Sequence, residues 1–136
     1  MPKTREITLP SRIESVDEAA QSADEFAKIC DFSDEFISAI DLAIRESVAN
    51  AVKHGNKFDE TKKVEVTFAY VQDGFEITVR DHGAGFAIDE IPDPTNPENL
   101  LKANGRGILF MNAFMDEISW SNHEDGGMIV KMLKRR

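Results

Sequence analysis

The sequence predicts an α+β fold, a two-layer sandwich in which helices cover one face of a mostly antiparallel sheet. Two segments in the N-terminal half repeat apolar residues every three or four positions, which is typical of amphipathic helices. From residue 64 onward the apolar residues alternate at every second position, which indicates strands. The predicted order is strand, helix, helix, hairpin, loop, helix, hairpin. No repeat or linker divides the chain, so we expect residues 1–136 to form one domain.

The first predicted strand, residues 6–9, stops at Pro10 because proline offers no N–H group to a sheet. Ser11 and Glu14 form a capping-box pattern that is expected to begin the first helix. This helix is expected to run to about Cys30, and its apolar stripe consists of Ile13, Val16, Ala20, Ala23, Ala27 and Cys30. As the single cysteine at a core position, Cys30 is predicted to be a buried thiol outside any internal disulfide.

The second predicted helix begins at the N-cap residue Ser33 and ends at Gly55. Its core stripe consists of Ile37, Ile40, Ile44, Val48 and Ala51. At about 100° per residue, Glu46, Asn50 and His54 fall on one shared face opposite that stripe. Such a face can hold a hydrated cation through the Asn50 oxygen while Glu46 accepts a proton. A solvated polar face is the alternative, because polar pairs four residues apart are common on helices.

The C-terminal half is predicted to contain two antiparallel hairpins. The predicted strand pairs are residues 64–70 with 75–79 and residues 117–121 with 128–133. Asp73-Gly74 is expected to form the turn of the first hairpin, and Asp125-Gly126 that of the second.

Composition and charge narrow the possible functions. Lys and Arg number 16 against 25 Asp and Glu, giving a net charge of −9, which disfavours direct nucleic-acid binding. No apolar run approaches the length of a membrane span, and the N-terminus lacks an apolar signal region. We therefore expect a cytoplasmic protein without membrane contact. Its charge is compatible with a nucleotide held by backbone amides and a metal.

Two glycine clusters flank residues 88–104, a long loop with three prolines and no sustained periodicity. The clusters are Asp81-x-Gly83-x-Gly85 and Gly105-x-Gly107. Each alone is as easily a turn or a helix cap. Together they would let the backbone approach a ligand, and a short helix from Ile108 would offer free N–H groups to phosphates. Asp81 is a candidate acceptor for the exocyclic amine of adenine, or else simply begins a turn.

The motifs, taken together and in order, resemble the N, G1 and G2 boxes of the Bergerat-fold (GHKL) ATPases. The matching segments are Glu46-x-x-x-Asn50, Asp81-x-Gly83-x-Gly85 and Gly105-x-Gly107. That superfamily includes gyrase, heat-shock 90 chaperones, sensor histidine kinases and MutL. Within it, residues 104–116 and the Lys134-Arg135 ending look most like the anti-sigma-factor serine-protein kinases. The resemblance covers nearly the whole chain and implies the Bergerat ATP-binding fold.

The resemblance also implies ATP and Mg²⁺ as cofactors and roles for individual residues. Glu46 would be the general base, Asn50 the Mg²⁺ ligand and Asp81 the group that reads adenine. A lid at about residues 86–104 would close over the nucleotide. The other nucleotide-binding positions it implies are His54, Gly83, Gly85, Phe86, Asn104, Gly105, Arg106, Gly107 and Ile108. For His54, capping of the helix C-terminus is the alternative.

One position departs from the pattern of many relatives. They carry Gly-Thr in the last hairpin, where the hydroxyl supports the adenine-reading aspartate, whereas this chain has Gly127-Met128. Because methionine has no hydroxyl to donate, we expect weaker nucleotide binding or a water molecule in that place.

The resemblance implies a kinase that phosphorylates a serine or threonine on a small antagonist protein. Family members also sequester a sigma factor in a partner switch, and they resemble homodimers, for which the first helix and first strand are plausible contacts. A binding module that holds a nucleotide without turnover is the alternative. A detached ATP-binding domain of a histidine kinase is a third possibility, disfavoured because no phospho-acceptor helix pair precedes the domain.

Overall fold

The structure, a computed structural model, describes residues 4–72, 74–83 and 114–136. Its elements are β1 (Thr4–Pro10), α1 (Glu14–Ile29), α2 (Asp34–Asn50), a π-helical turn (Ala51–Gly55), β2 (Lys63–Val71), β3 (Gly74–Arg80), β4 (Glu117–Asn122) and β5 (Met128–Arg135). The predicted α+β class is confirmed. In the described part of the chain, no helix is long and apolar enough to span a membrane.

The five strands form one sheet in the order β1-β2-β3-β5-β4, and every neighbouring pair is antiparallel. The predicted alternation is confirmed, because every second side chain of β2, β3 and β5 is buried. One row of apolar residues crosses all five strands: Ile7, Val66, Val79, Val130 and Trp120. Both helices pack on this face of the sheet.

Aromatic rings join the helices to the sheet. Phe26 of α1 lies 5.7 Å from Phe75 and 6.3 Å from Phe68, measured between ring centroids, and all three side chains are fully buried. Cys30 is the C-cap residue that follows α1, and 1% of its surface is exposed, which confirms the predicted buried free thiol. Burial raises the pKa of this thiol above its ordinary value.

The predicted capping box at the start of α1 is wrong. Ile13 occupies the N-cap position without a side-chain cap, and it is 49% exposed although the sequence placed it in the apolar stripe. Ser11 is fully buried, and its hydroxyl donates instead to the backbone oxygen of Lys62. Ser11 therefore hydrogen-bonds to a residue distant in sequence and does not cap the helix that follows it. The predicted cap of α2 is confirmed, because Ser33 Oγ accepts from Phe36 N at 3.2 Å.

The second helix follows the prediction except in its last turn. The α-helix ends at Asn50, and Ala51–Gly55 forms a π-helical turn in which Asn56 N donates to Ala51 O at 2.8 Å. Gly55 is the last helical residue, as predicted. The switch from α to π geometry alters the direction of every side chain after Asn50.

The first hairpin has a different turn from the one predicted. Gly74 pairs with Val71 and is the first residue of β3, so it belongs to the strand rather than to the turn. In the second hairpin the turn lies where the sequence placed it, with φ of +99° at Gly126 and +92° at Gly127. The predicted lid and the predicted helix from Ile108 lie outside the described residues.

Candidate functional site

Glu46 and Asn50 are one turn apart on α2, and both side chains are partly exposed. Within the described residues, neither side chain is held by a hydrogen bond or an ion pair. The third residue predicted for this face, His54, lies in the π-helical turn and is exposed. The helix changes from α to π geometry after Asn50, so the shared face predicted for the three residues stays a prediction at His54.

Asp81 follows β3 directly and is 6% exposed. Its Oδ1 atom accepts two backbone hydrogen bonds, from Gly83 N at 3.0 Å and from Met128 N at 3.1 Å. The backbone N–H of Asp81 donates in turn to Met128 O at 3.0 Å. Oδ2 lies against Gly55 and accepts no hydrogen bond from the described residues. Asp81 thus forms the turn that the sequence left as an alternative, and its second carboxylate oxygen is not used by that turn.

Three glycines let separate chain segments meet around Asp81. A Cβ atom on Gly55 would lie 2.2 Å from Asp81 Oδ2, and one on Gly127 would lie 2.0 Å from Asp81 O. A Cβ atom on Gly83 would lie 1.9 Å from the backbone oxygen of Gly55. All of these distances are far below van der Waals contact. A side chain at Gly83 or Gly127 would require movement of the backbone, and one at Gly55 would displace the side chain of Asp81. The end of the second helix, the end of β3 and the last hairpin therefore converge on one carboxylate.

Asn56 completes this convergence, and sequence reasoning missed it. Its side chain is 1% exposed, and Oδ1 accepts from His82 N at 2.8 Å. Nδ2 donates to Ser11 Oγ at 2.8 Å, to Lys63 O at 3.1 Å and to Lys62 O at 3.3 Å. In the sequence, a polar residue after a helix-ending glycine looks like the start of a loop. Nothing local to the segment indicates that its amide is buried.

The structure brings together one part of the predicted site. Asp81 and Gly83 lie against Gly55, at the end of the helical segment that carries Glu46 and Asn50. The remaining predicted positions lie outside the described residues: Gly85, Phe86, Asn104, Gly105, Arg106, Gly107 and Ile108. The missing hydroxyl at Met128 has a counterpart, since the backbone N–H of that residue binds Asp81 directly.

The available donors and acceptors fit a nucleotide with a magnesium ion. Asp81 Oδ2 can accept a hydrogen bond from an exocyclic amine. Asn50 and Glu46 offer one carboxamide and one carboxylate, and Mg²⁺ commonly takes few protein ligands alongside phosphates and waters. No group of three or more His, Cys, Asp or Glu side chains that could hold a metal alone occurs among the described residues.

Comparisons with known proteins place the chain in a family. Residues 9–134 match the family model of the histidine kinase-like ATPase domain. A serine-protein kinase RsbW from Oceanobacillus iheyensis is 27% identical over 135 residues, covering 95% of this chain and 84% of the relative. An anti-sigma F factor from Clostridium perfringens is 32% identical over 121 residues, covering 86% of this chain and 85% of the relative.

Among solved structures, the RsbU and RsbW domains of Rv1364c from Mycobacterium tuberculosis share the fold. The TM-score is 0.72 at 22% identity, and the match covers 99% of this chain and 32% of the longer one. The fold, the match over residues 9–134 and the identity to the clostridial factor agree with the resemblance in the three motifs. This chain belongs to the histidine kinase-like ATPase domains and, among them, to the anti-sigma-factor serine-protein kinase family.

Proposed function

We propose that this chain is an ATP-dependent serine/threonine protein kinase that acts as an anti-sigma factor. In this proposal it phosphorylates a small antagonist protein and sequesters a sigma factor. The antagonist and the sigma factor replace each other as the partner bound to this chain. The observation that carries the proposal is the buried Asp81 carboxylate. Its Oδ2 accepts no hydrogen bond from the described residues and lies beside the end of the helical segment bearing Glu46 and Asn50. Relatives named serine-protein kinase and anti-sigma F factor support the reaction and the regulatory role.

Each residue has a proposed task. Asp81 accepts a hydrogen bond from the adenine amine through Oδ2, while its Oδ1 stays bound to the backbone. Asn50 holds Mg²⁺, which when bound neutralises charge on the phosphates. Glu46, four residues earlier on the same helix face, accepts the proton of the attacking hydroxyl. Gly83 keeps the pocket wall close-packed. His54 is exposed, so we assign it no more than a contact at the rim.

The other predicted contacts are part of the same proposal. Gly85 and Phe86, a lid at about residues 86–104 and the residues 104–108 at its end would enclose the nucleotide within the single domain of residues 1–136. A homodimer is compatible with the sheet, because β1 is an edge strand among the strands that the structure describes. The proposal includes no direct contact with nucleic acid or membrane and a cytoplasmic location.

Glu46→Gln tests the reaction most sharply, because it removes the proton acceptor and keeps the size of the side chain. Transfer of labelled phosphate from Mg-ATP is measured with antagonist proteins encoded in the same genome. We expect a loss of about 100-fold or more in transfer, with Mg-ADP affinity nearly unchanged. Glu18→Gln, an exposed change of the same chemistry on α1, is the control and is expected to act like the wild type.

The outcomes separate the three functions that the sequence left open. Phosphate transfer that depends on Glu46 and gives an acid-stable phosphoester supports the proposed serine/threonine kinase. Binding of nucleotide and partner without transfer by the wild type would instead indicate a regulatory module without turnover. An acid-labile product would indicate phosphohistidine and therefore a histidine-kinase domain.

A further inference from the structure

Asn56 is placed between three segments that are distant in sequence. It connects the end of the π-helical turn with Ser11 before α1, with the start of β2 at Lys62 and Lys63, and with His82 after β3. Its partners are 45 residues away at Ser11 and 26 residues away at His82. With 1% of its surface exposed, the side chain depends entirely on these partners.

The partners require the chemistry of an amide. The backbone N–H of His82 can only donate, so the atom facing it must accept, and the backbone oxygens of Lys62 and Lys63 can only accept. An aspartate of the same shape would present an acceptor to both sides, and a leucine would satisfy neither. The orientation of the amide therefore follows from the backbone around it.

The bond to His82 lies next to the residue proposed to read adenine. His82 follows Asp81, and Gly83, the next residue, donates to Asp81 Oδ1 at 3.0 Å. On the other side, Gly55 precedes Asn56 and lies in contact with the Asp81 carboxylate. Asn56 thus fixes both the turn that carries Asp81 and the helical segment against which the carboxylate rests.

We propose that Asn56 is a positioning residue that determines the nucleobase selectivity of this site by holding Asp81 Oδ2 in place. The inference rests on the proposed function, because it requires that Asp81 reads the base. Adenine presents an exocyclic amine where guanine presents a carbonyl oxygen. A carboxylate oxygen held in one position favours the amine and repels the carbonyl. A carboxylate free to move would lose part of this discrimination.

The test compares Asn56→Ala with Ser11→Ala. Both variants remove a hydrogen-bonding side chain from the same buried cluster, but only the first releases the N–H of His82. Calorimetric titration gives the dissociation constants of Mg-ADP and Mg-GDP for each variant, well below its melting temperature. We expect Asn56→Ala to reduce the preference for ADP over GDP by about tenfold. Ser11→Ala is expected to keep the wild-type preference despite its loss of thermal stability.

The possible results have distinct meanings. An unchanged preference in Asn56→Ala, or an equal reduction in both variants, would overturn the inference and leave the proposed function standing. A wild-type protein that binds neither nucleotide would overturn the proposed function itself. Equal binding of both nucleotides by the wild type would overturn the assigned role of Asp81 and, with it, the inference.

A second measurement needs no variant and applies even where Asn56→Ala does not fold. The amide of His82 in the wild-type protein is expected to exchange with solvent about as slowly as the amides of β3, because a buried oxygen accepts its hydrogen. The His82 amide should be protected from exchange in the absence of nucleotide as well. Exchange at the rate of an open loop would show that Asn56 does not hold this segment, and the inference would fail.

Discussion

Met128 donates its backbone N–H to Asp81 Oδ1 across 3.1 Å, and Asp81 N donates back to Met128 O across 3.0 Å. These two bonds tie the last hairpin to the end of β3 around the carboxylate. The sequence predicts that Asp81 lacks the hydrogen bond that a hydroxyl at position 128 would donate. The backbone N–H of Met128 donates a hydrogen bond to Asp81, and the methionine side chain is buried with 4% of its surface exposed.

Met128→Thr tests whether this backbone bond is sufficient. The added hydroxyl is expected to change Mg-ADP affinity by less than about tenfold, because Asp81 Oδ1 already has two donors. Stability should fall, since a buried side chain is shortened. Calorimetric titration and thermal melting measure the two effects. A gain in affinity well above tenfold would show that the hydroxyl is needed and the backbone bond is inadequate.

Gly83→Ala tests the close approach of the segment after β3 to the π-helical turn. The new Cβ would lie 1.9 Å from the backbone oxygen of Gly55, so we expect the free energy of unfolding to fall by about 3 kcal/mol or more. Gly126→Ala is the control, because its Cβ would meet nothing closer than 3.9 Å and would suffer only from φ of +99°. The free energy of unfolding of Gly126→Ala is expected to fall by about 1–2 kcal/mol. Chemical denaturation measures the free energy of unfolding of both variants. Equal decreases in the two variants would contradict the close packing at Gly83.

Asp24→Asn tests the electrostatics between the helices. The pKa of Asp24 is raised, chiefly by burial and then by the nearby carboxylate of Asp41, while Arg45 and Lys28 act in the opposite direction. Because the folded state favours the protonated acid, the contribution of Asp24 to stability is fully present below the ordinary pKa of aspartate. It is lost as the pH rises through the raised value.

We therefore expect Asp24→Asn to increase the free energy of unfolding at neutral pH, by less than about 1 kcal/mol. The gain should vanish at about pH 3, where the wild-type carboxyl is protonated as well. Denaturation curves over a pH series measure it. Asp17→Asn is the contrasting variant, since it removes an ion pair with Arg45 and should bring no gain. A constant or negative effect of Asp24→Asn across the series would be inconsistent with the raised pKa.

Cys30 is expected to react slowly with a disulfide reagent. Its thiol is 1% exposed and its pKa is raised by burial, so little thiolate is available in the folded protein. We expect modification at least roughly 100-fold slower than that of the unfolded chain, with a rate that increases as denaturant opens the fold. Rapid modification without denaturant would mean that the end of α1 opens readily.

The parts of the fold that depend on periodicity could be predicted. Alternation alone places Phe68 and Ile77 on the buried face of the sheet, and the three-four spacing places Ile40 and Ile44 in the core. Ser33 caps α2 through a bond three residues away, which a local pattern also contains. In each case the information lies within a few residues.

The errors arise where segments distant in sequence compete with local patterns. Ser11 leaves its local cap for a partner 51 residues away, and Asn56 binds His82 across 26 residues. The π-helical turn brings Gly55 against Asp81, and that contact is invisible to a helical wheel. Motif order led to the prediction of Asp81, Glu46 and Asn50 as site residues, but the hydrogen bonds of Asn56 beside Asp81 required the structure.

Titration of Mg-ADP and Mg-ATP into the wild-type protein and Asp81→Asn tests the central claim most directly. In the variant, the retained Oδ1 can still accept from Gly83 and Met128, whereas Nδ2 replaces the free Oδ2 acceptor with a donor. The fold should survive, and we expect saturable binding to the wild type that the variant weakens by roughly tenfold to 100-fold. Equal affinity in both proteins, or no binding to the wild type, would contradict the nucleotide site.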